Sequence, residues 1–176
     1  EANDGMKPFS MTAYGYAIDQ MVTNLNGFIV NNDNGRSQRA TEVSYMEQTK
    51  IIYDFIATLV ENGDFINYGR SSENMISGFI NNDIAMLIST SALAKGIIDS
   101  SPFEVGLAYL PTVDGIEPQG VYAGGGAVCI ANNVESEEKA GAMEFLKFAT
   151  SAEIQARWAG ETGYFPINKE AFETET

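Results

Sequence analysis

The sequence predicts an α/β domain. Three observations carry that expectation: a long amphipathic helical stripe over Val43 to Glu61, a continuous apolar run Ile84-Ala85-Met86-Leu87-Ile88, and the alternation of strand-like with helix-like segments around them. At 176 residues with 44% hydrophobic content, the chain is long enough to bury a sizeable core and too apolar for a disordered segment.

Residues 1–8, with Gly5 and Pro8, read as a loop. Phe9 to Leu25 repeats Met11, Tyr14, Ile18, Met21, Val22 and Leu25 at spacings of three and four, which predicts a helix stopped by Asn26-Gly27. Phe28-Ile29-Val30 is a short strand candidate, and Asn31-Asn32-Asp33-Asn34-Gly35 has turn composition. In the helix from Val43 to Glu61 the expected inward stripe is Met46, Tyr53, Ile56, Ala57 and Val60, with Asn62-Gly63 as the stop. Ser72 to Asn81 is a further helix facing inward through Met75, Ile76, Phe79 and Ile80.

Ile84–Ile88 has the pattern of a strand buried on both faces. Ser89-Thr90-Ser91 then leads into a helix over Ala92 to Ile98. Phe103 to Leu110, closed by Pro111, is predicted as a strand. A turn at Asp114-Gly115 precedes a third strand within Gln119 to Ile130. Ser136 is the expected N-cap of a helix with Glu137 and Glu138 in its first turn, and with Ala140, Met143, Phe145 and Leu146 as its apolar face. Thr150 and Glu153 have capping-box spacing for the next helix, which holds Trp158 and is broken by Gly163-Tyr164-Phe165-Pro166; Asn168 caps a last short helix.

The composition excludes much. With 24 acids against 10 bases the net charge is −14, which leaves no basic surplus for nucleic acid or an anionic membrane surface. One cysteine, Cys129, precludes an intrachain disulfide; its apolar neighbours Val128 and Ile130 predict a buried, inert thiol. The absence of histidine removes Ser-His-Asp and Cys-His catalysis and histidine-bound zinc, and no cofactor or metal is expected. No apolar run reaches the length of a membrane span, and no signal segment is visible. The start Glu1-Ala2-Asn3-Asp4 predicts a processed or truncated product.

Three places have residue types suited to a small ligand. Ser89-Thr90-Ser91 lies beyond the carboxyl end of a predicted strand, where α/β proteins bind ligands, although hydroxyls there also serve as ordinary helix caps. Tyr122 with Gly124-Gly125-Gly126 would let a ligand approach the backbone closely; it lacks the Gly-Lys-Ser/Thr ending of a phosphate loop and the spacing of a dinucleotide fingerprint. Trp158 and Thr162-Gly163-Tyr164-Phe165-Pro166 offer aromatic faces of the kind that pack on sugar C–H groups. Trp158 reads better as a buried helix residue, and Tyr164 stays open between core and contact. Arg70 and Arg157 read as members of surface ion pairs.

Taken in order, FINNDIAML (Phe79 to Leu87), Ser89-Thr90-Ser91, Phe103-Glu104-Val105-Gly106, Leu110-Pro111 and Gly124-Gly125-Gly126 resemble the extracellular solute-binding proteins of ABC importers. The closing pattern AMEFLKF (Ala142 to Phe148), Thr150-Ser151, Trp158 and Thr162 to Pro166 is similar to theirs as well. The likeness covers roughly residues 40–172 and is nearest to the branch of glycerol-3-phosphate, glycerophosphodiester and oligosaccharide binders.

That resemblance implies a periplasmic-binding-protein-like fold of type 2, with two α/β lobes closing on solute in the cleft between them. It implies ligand contacts at Thr90, Ser91, Gly124, Gly125 and Tyr164. Ala92 stands where oligosaccharide binders place an aromatic platform, which favours a small polyol, a glycerophosphate-like ligand, or stacking from a part of the protein outside this chain. The implied organisation is residues 1–120 as part of the second lobe, 121–172 as a segment crossing to the first lobe, and 173–176 as a tail. The family's members are longer, so the resemblance implies a fragment with half a cleft, whose bare surface a homodimer or strand swapping could cover. The implied partners are a sugar, polyol or glycerophosphate-like solute and ABC permease subunits. The implied location is the periplasm or the outer face of the cytoplasmic membrane, in lipoprotein or free form. Two other classes compete: a glycoside hydrolase using carboxylates such as Asp83, Asp114 and Glu161, and a non-catalytic interaction module.

Overall fold

The computed structural model describes residues 5–121 and 123–174. Tyr122 lies outside the described residues. The chain divides into two compact units: 1–89 with 100–123, and 90–99 with 124–176.

The first unit is built on a parallel pair, β1 (Lys7–Met11) with β2 (Ile84–Ile88), in the register Lys7 to Ile84, Phe9 to Met86 and Met11 to Ile88. On its other edge β1 is bridged in parallel at Phe9 to Phe65. There the Phe9 N–H donates to the Asp64 carbonyl at 3.2 Å, and the Ile66 N–H donates to the Phe9 carbonyl at 3.3 Å. Ser10, fully buried, donates its hydroxyl to the Ile66 carbonyl at 2.7 Å. Parallel neighbours need crossovers, and helices supply them. From β1 the chain runs through α1 (Gly15–Asn24), a single left-handed turn α2 (Asn31–Asn34, with φ 56, 56 and 52 at Asn32, Asp33 and Asn34) and α3 (Met46–Glu61) to residues 64–66, then through α4 (Ser72–Ile80) to β2. The core joins Met11 of β1, Ile18, Met21 and Val22 of α1, and Ile52 and Ile56 of α3.

Tertiary pairing overrides the helical spacing at the start: Phe9 and Met11 belong to β1, and the helix begins only at Gly15. α1 ends as expected at Asn26, which takes the left-handed conformation (φ 58). Gly27 follows because a Cβ there would come within 2.9 Å of the Val22 carbonyl oxygen. The inward stripe of α3 is displaced from the one expected. Ile52 and Ile56 are buried, whereas Met46, Tyr53 and Val60 are exposed and Tyr53 reaches back to donate its hydroxyl to the Ala13 carbonyl. In β2 only Ile84 is fully buried and Met86 is 57% exposed, so the run is not covered on both faces.

Val30 forms only an isolated antiparallel bridge to Val43. Neither Phe103 to Leu110 nor Gln119 to Ile130 forms a strand among the described residues; no neighbouring strand supplies a ladder. Side chains hold the first of these segments instead. Phe103 packs edge-on against Phe79 with ring centres 5.3 Å apart, and Leu110 and Ile116 reach the core. Asn24, 2% exposed, donates through Nδ2 to the carbonyls of Leu110 (3.3 Å) and Pro111 (3.0 Å). Its Oδ1 accepts the Gly120 N–H at 3.2 Å, and its backbone carbonyl accepts the Gln119 N–H at 3.3 Å. One buried amide thus closes the whole 110–120 loop onto α1.

The second unit holds a 3-10 turn (Ser91–Leu93), α5 (Ala94–Ser100) as far as Asp99, α6 (Ser136–Ala149), α7 (Ala152–Thr162) and a closing 3-10 helix (Lys169–Glu173). Glu135 rather than Ser136 precedes α6, and its N–H donates to the Glu138 carboxylate at 3.2 Å. Ser151 rather than Thr150 precedes α7: the Thr150 hydroxyl turns back to the Leu146 carbonyl, so the expected capping box does not form. No residue of α6 is buried, and Met143 and Phe145 are exposed. Cys129 is exposed as well, contrary to its apolar neighbours.

Candidate functional site

All five predicted contact residues fall in the second unit. The best-defined is Tyr164. Helix α7 stops because Gly163 turns left-handed (φ 79), its N–H donating to the Ala159 carbonyl at 2.8 Å. A side chain there would meet the backbone preference and also Lys95, whose Cβ would lie 2.7 Å from an added Cβ. This contact ties α5 to the turn before Tyr164. The Thr162 hydroxyl donates to the Trp158 carbonyl at 2.6 Å and accepts the Tyr164 N–H at 3.3 Å. Beyond the turn, the Ile167 N–H donates to Gln155 Oε1 at 3.0 Å and Asn168 Nδ2 donates to the Thr150 carbonyl at 2.9 Å, fastening the return segment to α7. Asn168 also caps the closing 3-10 helix through the Glu170 N–H.

The turn presents aromatic surface. Tyr164, Phe165 and Phe172 line an open depression of about 330 Å³ floored by Gly160, Gly163 and Pro166. Tyr164 is 50% exposed, so it is not a core residue among the described residues. Trp158 is exposed too, in a shallow groove with Ile154, Arg157 and Glu161, so the expectation of a buried helix residue does not hold. Among the described residues no charged side chain lines the Tyr164 depression; it suits an uncharged ring face or an apolar group.

Thr90 and Ser91 are exposed at the entry to α5, where Thr90 Oγ1 accepts the Ala92 N–H at 3.4 Å. The Thr90 hydroxyl therefore caps the turn, and its remaining donor is available to a ligand. Gly124 and Gly125 are exposed; Gly125 has φ 129, and an added Cβ would meet nothing within 4 Å. Among the described residues no hydrogen bond joins the glycines to Thr90, Ser91 or Tyr164.

The candidate carboxylates are divided between the two units. Glu161 pairs with Arg157 at 2.8 Å, while Asp83 and Asp114 are exposed in the first unit. Arg157 thus makes its expected ion pair, and Glu161 holds its guanidinium protonated above the ordinary range. Arg70 behaves differently. Its guanidinium lies 4.6 Å from the centre of the Tyr14 ring, and no carboxylate lies within ion-pairing distance among the described residues. Sequence reading noted Arg70 but assigned it to an ion pair; Tyr14 it read only as part of a helix face.

Comparison with known proteins identifies the class. Residues 4–176 match the family of bacterial extracellular solute-binding proteins, and the chain belongs to that family. Among its relatives, the sn-glycerol-3-phosphate-binding periplasmic protein UgpB of Escherichia coli K12 is 30% identical over 145 residues, covering 81% of this chain and 33% of that protein. The corresponding protein of Yersinia enterocolitica is 31% identical over 120 residues, covering 67% of this chain and 27% of its own length. The chain therefore spans about a third of the length of these relatives.

Two solved structures share the fold. The GacH receptor of Streptomyces glaucescens, a structure described unliganded and with acarbose, superposes with a TM-score of 0.66 at 18% identity, over 97% of this chain and 43% of that one. UgpB of Mycobacterium tuberculosis, solved in complex with glycerophosphocholine, gives 0.64 at 16% identity, over 98% and 42%. The α/β architecture is that of periplasmic binding proteins, as the sequence predicts.

Proposed function

We propose that the protein is the solute-binding component of an ABC importer, taking a carbohydrate, polyol or glycerophosphate-like solute and delivering it to permease subunits. The observation that carries this reading is Tyr164, held half-exposed by a glycine turn beside Phe165 and Phe172 in a chain of this family. Thr90, Ser91, Gly124 and Gly125 are the proposed partners of Tyr164, giving hydroxyl and backbone hydrogen bonds to a hydroxylated solute. Capture needs no chemistry beyond those bonds and aromatic contact, which fits a non-enzymatic role.

In this reading residues 1–120 belong to one lobe and 121–172 cross towards the other, and hinge closure brings the two sides onto solute. The proposed location is the periplasm or the outer face of the cytoplasmic membrane. No helix of the described residues is long and apolar enough to cross a membrane. No described contact speaks for a homodimer, and the proposal does not include one.

Calorimetry of the intact protein with sn-glycerol 3-phosphate, glycerophosphocholine and maltose tests the reading. One of these is expected to bind, and Tyr164→Ala is expected to weaken it about tenfold or more, the loss of one aromatic contact and one hydrogen bond. Affinity indifferent to Tyr164→Ala would favour an interaction module. Release of reducing sugar from an oligosaccharide would favour the hydrolase.

A further inference from the structure

Ligands of parallel α/β sheets gather beyond the carboxyl ends of the strands. In the first unit β1 ends at Met11 and is followed by Tyr14; the neighbouring 64–66 segment is followed by Asn67 to Arg70. These two exits are clamped together. The Tyr14 hydroxyl donates to the Arg70 backbone carbonyl at 3.3 Å, while the Arg70 guanidinium lies over the Tyr14 ring.

Among the described residues the clamped guanidinium has no carboxylate within 4.0 Å, in a chain with 24 acids and 10 bases. Among the described residues five of the ten cations make ion pairs at 4.0 Å or less: Arg36, Lys50, Lys95, Lys147 and Arg157. Arg70 does not, although Glu73 is only three residues away. A guanidinium stacked on a ring keeps its in-plane N–H donors free, in the fork that matches an oxyanion. Its order is already set by the tyrosine, so less side-chain freedom is lost on binding. Helix α1 begins at Gly15, next to Tyr14 in the chain, with no side-chain cap and no acid in its first turn.

We propose that Arg70, held over Tyr14 at the carboxyl edge of the first unit's sheet, is a binding site for a phosphate-class oxyanion. The site goes beyond the solute-binding reading and does not rest on it. Tyr164 belongs to the other unit, and among the described residues no charged side chain lines its depression.

The test titrates the protein with inorganic phosphate, with acetate and chloride at matched ionic strength as separate arms. The Arg70 Nε–H and the Gly15 and Tyr16 amides are followed by NMR. Saturable shifts with phosphate, absent with chloride and at least several-fold weaker with acetate, are expected. Arg70→Gln should weaken phosphate about tenfold, equivalent to roughly 1.4 kcal/mol, while Arg70→Lys should recover part of the loss and Tyr14→Ala should cost several-fold. Unchanged circular dichroism would show that the variants fold.

Equal phosphate affinity in wild type and Arg70→Gln would overturn the site, as would shifts that chloride reproduces. Acetate binding as tightly as phosphate would overturn the phosphate class. Because inorganic phosphate needs no contact at Tyr164, failure of the importer reading leaves this result standing, and the reverse is equally true.

Discussion

The two units use their apolar residues in opposite ways. In the first, Met11, Val22, Ile52, Met75 and Ile84 are each 2% exposed or less, and they sit under paired strands and packed helices. In the second, the buried hydrophobics among the described residues are Ile97, Ala156 and Ala171, while Phe145, Phe148, Trp158, Tyr164, Phe165 and Phe172 are all at least half exposed. The first unit therefore owes its shape to hydrophobic burial. The second holds its turns chiefly by caps and side-chain bonds, such as Gln155 to Ile167 and Asn168 to Thr150. Its aromatic residues are surface, free to make contacts other than with a core of their own.

The sharpest way to break this comparison is a cavity in the first unit. Ile52→Ala removes a side chain 2% exposed, packed between α3 and α1, and should cost about 2–5 kcal/mol. Denaturant unfolding measures it, and hydrogen exchange should show the loss spread through α1, α3 and β1. A cost under about 1 kcal/mol would mean that the α1–α3 seam is not the stabilising core.

Next comes the one polar residue that closes a long loop. Asn24→Ala deletes three side-chain hydrogen bonds and leaves the Gly120 N–H and two carbonyls to find other partners. Because an orphaned buried group costs more than a lost bond, we expect about 2–3 kcal/mol. The effect should appear as faster exchange at Gln119 and Gly120 and earlier proteolysis within 110–120. Asn24→Asp retains the acceptor but loses the donor, so it should free the Leu110–Pro111 side more than the Gly120 side.

Asn24 also marks what was legible in the sequence and what was not. Helices with a clear period and a turn-residue stop, over Met46–Glu61 and Ser72–Ile80, were readable because their signals are local. β1 was not, because Phe9 and Met11 fit a helical spacing and become a strand only through partners at 64–66 and 84–88. The segment from Phe103 to Leu110 fails in the other direction: it has strand composition but no ladder, and a side chain 86 residues away holds it. At the site, Gly163-Tyr164 was readable because the glycine turn is written locally. The stacking of Arg70 on Tyr14 joins residues 56 positions apart, as their hydrogen bond does, and no spacing rule announces it.

In the second unit the comparison sharpens at Gly163. Gly163→Ala places a Cβ at φ 79 and 2.7 Å from Lys95 Cβ, and should cost about 1–2 kcal/mol from left-handed strain and the displaced contact. The loss should be seen as fraying at Ala159 to Thr162 in hydrogen exchange, with the first unit's core unaffected. Since this turn also aims Tyr164, solute affinity should fall with it, whereas Ile52→Ala should leave the Tyr164 turn in place.

The smallest expected effect is the most discriminating. Phe148→Ser removes a large aromatic side chain from α6, a loss that in a core would cost several kcal/mol. Here the ring is 60% exposed and no residue of its helix is buried. If the second unit's aromatics are surface, unfolding of this chain should change by no more than about 0.5 kcal/mol, and solubility should rise as the apolar area falls. A loss of about 2 kcal/mol or more would place Phe148 in a packed interface and would erase the contrast between the two units at α6.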